Sequence, residues 1–404
     1  LIPAIAIVKE TRTFMDINEL KRNHRTTFGS TGKQYCFSAP GRTEIGGNHT
    51  DHQHGKILAA AINLDTKAAV CKNQNNVIRI KSEGYDYFEV DLKHLELSTE
   101  EYGTTAALAK GVAAGIAQLG HCITGFDAYI ASTVLPGSGL SSSAAFEVLI
   151  GTIINELDHC GLTPIEIAKV GQYAENVYFG KPSGLMDQLA SSVGNLLAVD
   201  FADVTMPVVK PLDVDFNTFD HSLCIIDSGA DHANLTDEYA AITEELKSVC
   251  GFFEKKFLRD VDEGAFYANM TSVRKKAGDR AVIRAMHIFD ENKRVSAQVE
   301  ALEKGKFNSF LDLVNDSGRS SWTYLQNVVP TGCTTHQDLA IALALCKKFL
   351  DGQGACRVHG GGFAGTIQAF VPNDMLNSFK TKINCYLGDN SCHVLNIRRE
   401  GGIR

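Results

Sequence analysis

Apolar residues recur with a period of two in some stretches and of about 3.6 in others, and the two kinds of stretch interleave along the chain. That pattern predicts a fold of mixed helices and strands rather than a bundle or a sandwich. Residues 77–81 and 87–92 read as strands, 106–119 as a helix ending at Gly120, and 126–135 as a further strand. A tight turn, Pro136-Gly-Ser-Gly139, then leads into an apolar helix over 141–157. Helices are also expected over 164–179 and 236–258, the second opened by an N-cap signal at Thr236 and Asp237. No linker, low-complexity tract or repeat divides the 404 residues. The stretch 203–220, where two prolines and strand fragments follow an apolar segment, is the best boundary, and we place it near 205. Units 1–205 and 206–404 are each long enough to bury a core.

Charge and cysteine usage narrow the function. With 39 Lys+Arg against 47 Asp+Glu the formal net charge is -8, which argues against a general affinity for nucleic-acid phosphates or anionic lipid. The 11 cysteines are scattered and contain no Cys-x-x-Cys pair, so neither a disulfide framework nor a zinc ribbon is signalled. The first residues carry an apolar stretch without a basic region before it or a small-residue cleavage site after it, and no apolar run approaches the ~18 residues of a membrane span. These features predict a cytosolic protein whose partners are small molecules, with neither nucleic acid nor membrane among them.

Glycine placement is more informative than glycine content. Of the 36 glycines, 12 fall in three windows, 41–55, 136–145 and 352–365, that together hold 39 residues. In the second, Pro136-Gly-Ser-Gly-Leu-Ser-Ser-Ser-Ala-Ala145, glycines let successive N–H groups point into one concavity, and the following helix presents its unpaired first-turn N–H groups. A phosphate can be held there without a basic residue; a serine N-cap on a tight turn is the plainer reading. The window is not a Walker A loop, and Ser142 stands where a Rossmann fingerprint needs its third glycine. A literal Gly-x-Gly-x-x-Gly occurs at 360–365, but the strand-like 366–371 follows it, so it reads as a close-approach loop.

The first window, Ala39-Pro-Gly-Arg-Thr-Glu-Ile-Gly-Gly-Asn-His-Thr-Asp-His-Gln-His-Gly55, combines an arginine, carboxylates and three histidines. His49, Asp51, His52 and His54 are potential metal ligands, although a glycine loop does not align them as one helix face would. Taken together, the three windows resemble the galactokinase signature and the three ordered motifs of the GHMP small-molecule kinase superfamily. The landmarks Ala109-Lys-Gly-Val112, Ala174-Glu175 and Gly184-Leu-Met-Asp-Gln188 agree, and the resemblance covers nearly the whole chain.

The resemblance implies a two-domain α+β GHMP kinase fold. Its N-terminal part is expected to be like ribosomal protein S5 domain 2, its C-terminal part ferredoxin-like, with the active site in the cleft between them. It implies ATP as co-substrate with Mg²⁺, and transfer of phosphate to the C1 hydroxyl of galactose. Asp187 matches the family's catalytic Asp, and Arg42 the Arg that contacts it and the transferring phosphoryl group. Gly137, Ser138, Gly139, Leu140, Ser141, Ser142, Ser143 and Ala144 match the phosphate loop, with Gly361 and Gly362 approaching from the other domain. Ser143 and Glu175 match the metal ligands; Asn48, His49, Asp51, Gly184 and Tyr239 match positions that shape the sugar pocket, Tyr239 equally suiting a packing role.

One departure stands out. The usual Gly-Arg-x-Asn-x-Ile-Gly-Glu-His-x-Asp-Tyr reads here Gly41-Arg-Thr-Glu-Ile-Gly-Gly-Asn-His-Thr-Asp-His52, so that Asn and Glu exchange places as Glu44 and Asn48. In the family that Glu contacts the sugar's C6 hydroxyl. Asn48 there removes a charge, which points either to a pocket tuned for a relative such as galacturonate or N-acetylgalactosamine, or to a compensated exchange with ordinary galactose specificity. A sugar sensor without turnover is the rival from another class, but the Ser141–Ala145 segment such proteins can lose is intact.

Overall fold

The computed structural model describes residues 16–135, 138–230 and 235–404. Its organising element is β2 (Lys56–Lys72), a 17-residue strand whose Ile57, Leu58, Ala59, Ala60, Ala61 and Ile62 have no exposed surface. Such a run, apolar on both faces, requires neighbours on both edges and cover on both sides. One edge carries β1 (Tyr35–Gly46). The other is shared by β5 (Phe126–Ser132) and β6 (Leu196–Asp200). With β3 (Val77–Ser82), β4 (Tyr87–Asp91) and β7 (Val208–Leu212) they form a seven-stranded sheet in the order β4-β3-β5-β2-β6-β7, β1 lying off this path on β2.

The helices of this half are α1 (Ile17–Phe28), α2 (Thr105–Gln118), α3 (Ser142–Asp158), α4 (Pro164–Tyr173) and α5 (Met186–Val193). Val112 and Ile116 of α2 and Leu149 and Ile153 of α3 bury against Ile78, Ile80, Phe126 and Ile130 of the sheet.

The second half contains α6 (Thr236–Phe252), α7 (Glu263–Ala268), α8 (Met270–Ala277), α9 (Asp279–Glu303), α10 (Phe307–Ser320), α11 (Asp338–Leu350) and α12 (Leu376–Leu387). Its antiparallel sheet comprises β8 (His221–Asp227), β9 (Ala355–His359), β10 (Thr366–Pro372) and β11 (Cys392–Leu395) in the order β11-β8-β10-β9. Counted along the chain that order is fourth, first, third, second, and α11 and α12 pack their Leu339, Leu343, Phe379 and Ile383 against it. This is the ferredoxin-like arrangement.

The first sheet continues through β7 to Leu212 and the second opens at His221, so we place the division at 213–220, downstream of 205. The chain end also returns to the first sheet, where Ile397 and Ile403 bridge to Ile62 and Ser38 and Arg398 pairs with Asp65 at 3.1 Å. A shared core joins the halves, with Val295 and Leu302 of α9 against Ile45, Leu58 and Ile62.

Three local expectations are corrected. The strand expected to reach 135 ends at Ser132, where the Oγ of that serine accepts the Val134 N–H. The helix expected over 236–258 ends at Phe252, because Glu254 is left-handed (φ 55) and the Lys255 N–H turns back to the Cys250 carbonyl; its N-cap is Leu235, not Thr236. The helix expected over 164–179 is α4 followed by a π-turn at Ala174–Tyr178. Such turns recur at functional sites, and this one contains Glu175.

Candidate active site

Pro40 lacks the N–H that the ladder needs, and the register between β1 and β2 shifts between Pro40 and Arg42. Beyond the shift the Arg42 N–H bonds to the Leu140 carbonyl at 3.1 Å, which ties β1 to the phosphate loop. The Arg42 guanidinium then forks onto Asp187, its Nε and Nη2 donating to the two carboxylate oxygens at 2.6 Å each, while Nη1 donates to the Gly139 carbonyl. Such bidentate pairs are strong and directional.

Ser141 completes this group. It is the N-cap of α3 in left-handed backbone (φ 57), yet its hydroxyl makes no capping bond and donates to Asp187 Oδ2 instead. A capping hydroxyl contributes about 1 kcal/mol to a helix, so its diversion marks Asp187 as the favoured partner. Burial alone would raise the Asp187 carboxyl, but the Arg42 charge and the bonds from Arg42 and Ser141 outweigh it and hold Asp187 below the ordinary carboxylate range. Asp187 is therefore ionised at neutral pH.

The other residues expected in the phosphate loop are largely turned inward. Leu140 and Ala144 are buried in the core, Ser138 is buried with its hydroxyl on the Leu135 carbonyl at 2.7 Å, and Ser142 opens α3. Gly137 lies outside the described residues. Ser143 Oγ donates to Glu175 Oε1 at 3.2 Å, and Glu175 is further held by Lys181 (3.0 Å), Ser183 (2.7 Å) and Gln188 (2.9 Å). A hydroxyl and a carboxylate side by side are oxygens of the kind Mg²⁺ takes, and a metal there would replace the Ser143 and Lys181 bonds to Glu175 Oε1. Gln188 also donates to Glu147 at 2.9 Å, a carboxyl that burial, then the Glu175 charge, raises well above the usual range.

The residues expected on the sugar side come together from three loops. A Cβ on Gly184 would stand 2.3 Å from Asp51 Oδ2, so only glycine lets that carboxylate lie against the backbone before α5. The Asp51 carboxyl is raised, chiefly by burial and further by the Asp187 charge. His49 Nε2 donates to the Gly361 carbonyl at 3.0 Å, and its Nδ1 meets His52 Nε2 at 3.1 Å. The histidines thus bond one another and the backbone, and no group of three or more potential metal ligands occurs among the described residues. Tyr239 seats the glycine loop between β9 and β10: its hydroxyl donates to the Gly362 carbonyl at 2.9 Å and its ring would meet a Cβ on Gly361 at 2.7 Å.

Asn48 is the exception. It has no exposed surface, its Nδ2 donates to Glu44 (3.3 Å) and to the Gly360 carbonyl (2.6 Å), and its Oδ1 accepts from Ser321 (3.3 Å) and Asn327 (3.0 Å). All four hydrogen-bonding positions of the amide are used, so Asn48 has none left for a sugar hydroxyl and the expectation that it lines the pocket is corrected. Glu44 pairs with the fully buried Arg357 at 2.6 Å. The exchanged residues touch each other, and the charge that moved to position 44 is met by an arginine from β9.

Beneath the phosphate loop lies His359, which the sequence reading missed. Its Nε2 accepts the Glu44 N–H at 3.1 Å, its Nδ1 donates to Thr366 Oγ1 at 2.9 Å, and Thr366 in turn donates to the Ser138 carbonyl at 3.3 Å. Burial, and then the Arg42 and Arg357 charges, keep His359 neutral far below its ordinary range; His287 in α9 is lowered, chiefly by burial, to about 4. Both therefore take up protons more readily in the unfolded chain, and stability is lost as pH falls below about 6.5 towards the folded values. Between pH 7 and pH 5 His287 contributes a loss of roughly 2 kcal/mol, and His359 acts in the same direction. The urea midpoint is expected to fall markedly over that interval, and an unchanged midpoint would refute neutral burial of these two rings.

Two family models match the chain: the GHMP kinases N terminal domain over residues 106–195 and the galactokinase galactose-binding signature over residues 22–72. A mevalonate kinase from Methanococcus jannaschii shares the fold, with a TM-score of 0.65 at 14% identity over 91% of this chain and 99% of its own. The matched domain and the shared fold are those of the GHMP kinases. A galactokinase from Streptomyces coelicolor is 31% identical over 340 residues, 83% of this chain and 84% of the relative. The Lactococcus lactis galactokinase complexed with galactose superimposes with a TM-score of 0.82 at 25% identity, covering 96% of this chain and 99% of its own. This chain belongs to the galactokinase family.

Proposed function

We propose that this enzyme transfers the γ-phosphoryl group of ATP to the anomeric C1 hydroxyl of α-D-galactose, giving ADP and α-D-galactose 1-phosphate. The observation that carries the reading is the fork of Arg42 on an ionised Asp187 whose other partner, Ser141, belongs to the phosphate loop. Asp187 accepts the C1 proton as the new O–P bond forms and the bond to the leaving ADP breaks. Arg42 stands between that carboxylate and the Gly139 carbonyl, where it can face the charge that spreads over the phosphoryl oxygens in the transition state. A carboxylate held low is a weak base, so positioning contributes much of the effect.

Ser138 to Ser143 cradle the phosphates through their N–H groups, with Gly361 and Gly362 approaching from the second half. Ser143 and Glu175 would hold Mg²⁺, which neutralises phosphate charge that a chain of net charge -8 would otherwise repel. His49, Asp51 and Gly184 shape the acceptor side. The saturation of Asn48 and the Glu44–Arg357 pair favour the compensated exchange, and with it galactose itself.

A coupled ADP-release assay with galactose, galacturonate, N-acetylgalactosamine and glucose tests this reading. Galactose is expected to be turned over most efficiently. Preference for another sugar in the panel would overturn the substrate, and sugar binding with no ADP release would make the protein a sensor.

A further inference from the structure

The loop joining β1 to β2 closes on its own turns, the Thr50 and Gly55 N–H groups bonding the Gly47 and Thr50 carbonyls, and is held further from outside. Two of its non-glycine residues, His49 (φ 62) and His54 (φ 57), adopt the left-handed conformation. Such residues cost of order 1 kcal/mol each and persist where their surroundings over-determine them. His54 stacks on Phe257 and His49 bonds the Gly361 carbonyl, while one face of α9, more than 230 residues away in the chain, holds the backbone before His49 and after His54.

Glu291, with no exposed surface, accepts the backbone N–H groups of Gly47 at 3.2 Å and Asn48 at 3.4 Å on the same oxygen, Oε1. One turn earlier His287, equally buried, donates from Nε2 to the Asn48 carbonyl at 3.0 Å. Asn292 Oδ1 accepts the Lys56 N–H at 2.7 Å, where the loop re-enters β2. Entry and exit of the loop are thus both fixed from α9.

Other contacts hold these side chains in place. Ser317 of α10 donates to Glu291 Oε1 at 2.8 Å, Arg294 neutralises its Oε2, and Ser320 donates to His287 Nδ1 at 2.8 Å. The carboxylate is satisfied whether or not the loop is present, so its two bonds to backbone N–H groups act on the loop rather than serving to satisfy Glu291. The β1–β2 ladder and the shared apolar core already join the two halves.

We propose that Glu291 and His287 are positioning residues of the acceptor site, setting the backbone at Gly47 and Asn48 and through it the aim of His49 and Asp51. The inference rests on the reading that this loop takes the sugar. Charge-assisted hydrogen bonds contribute about 1.5–3 kcal/mol, so Glu291→Gln, which turns an amide N–H₂ towards either the two N–H donors or Arg294, is expected to raise the sugar KM roughly tenfold or more. The ATP KM should stay within about twofold, since the phosphate loop is not touched, and Glu291→Asp, which keeps the charge, should recover part of the loss.

The wild type is assayed first with the sugar panel, and its preferred sugar is used for every variant. A wrong sugar then overturns the functional reading without deciding this one. A folded Glu291→Gln protein with a lowered melting temperature but a wild-type sugar KM would reduce Glu291 to a fold anchor and overturn the proposal. Should that variant not fold, His287→Asn, which shortens the reach to the Asn48 carbonyl, decides: a several-fold rise in sugar KM alone supports the proposal, and an unchanged one refutes it.

Discussion

Asp187→Asn is expected to lower galactose turnover by about a thousandfold, within the range for loss of a general base, while galactose binding changes only a few-fold. The substitution keeps the shape of the side chain, and an amide oxygen can still accept from Ser141 and from one arm of the Arg42 fork. What it removes is the negative charge and, on the proposed reading, the site that receives the C1 proton. The new N–H₂ also faces a guanidinium donor, so the fork opens on one side. Turnover from the ADP-release assay, set beside the galactose dissociation constant from calorimetry, separates the two effects. Turnover within tenfold of wild type would show that the C1 proton leaves by another route, and equal losses of binding and turnover would make Asp187 a sugar ligand rather than the acceptor of the proton.

What could be read in the sequence was whatever is encoded within a few neighbouring residues. Glycine turns, a run of hydroxyls before an apolar helix and the Gly-x-Met-Asp-Gln segment sit on short stretches, and the first and last pieces of each site carry their own signal. That the second half is ferredoxin-like came from the family resemblance, and the pairing of β1 with β2 could not be read at all, since alternation marks a strand without naming its neighbour. The π-turn at Ala174–Tyr178 was hidden because a one-residue change of hydrogen-bond register leaves the helical pattern almost unaltered.

Long-range polar contacts were the main omission. Arg357, His359, His287 and Glu291 are single polar residues within otherwise apolar strands or an amphipathic helix, and by pattern each reads as an ordinary solvated position. All four are buried. The i, i+4 placement of His287 and Glu291 among buried positions of α9 was the one available signal. The same limitation explains Asn48: its direction depends on Glu44, which depends on Arg357, and that partner comes from the other sheet. A local motif showed that the exchange had happened, but its compensation became visible only with the fold.

Arg42→Ala should be nearly as damaging as loss of Asp187, and for two separable reasons. First, it removes positive charge from where, in the proposed reaction, the phosphoryl oxygens gain negative charge; a preorganised donor of this kind contributes about 10²–10³ in turnover. Second, it changes the base. With Arg42 gone, burial acts on Asp187 opposed only by Ser141 and weaker charges such as Lys181, so its carboxyl rises. A base must be ionised to accept the proton, and a higher carboxyl value means that ionisation is lost at a higher pH as the solution is acidified. The variant's kcat/KM is therefore expected to fall on the acid side at a pH where the wild type is still flat. Arg42→Lys tests the two effects against each other. A lysine restores a point charge beside Asp187 and should bring the acid limb back towards that of the wild type, but it cannot reproduce the planar fork or bond the Gly139 carbonyl at the same time, so turnover should recover only in part. If Arg42→Ala keeps the wild-type pH profile, the ionisation of Asp187 does not depend on this arginine and the pair is not the unit that carries the chemistry.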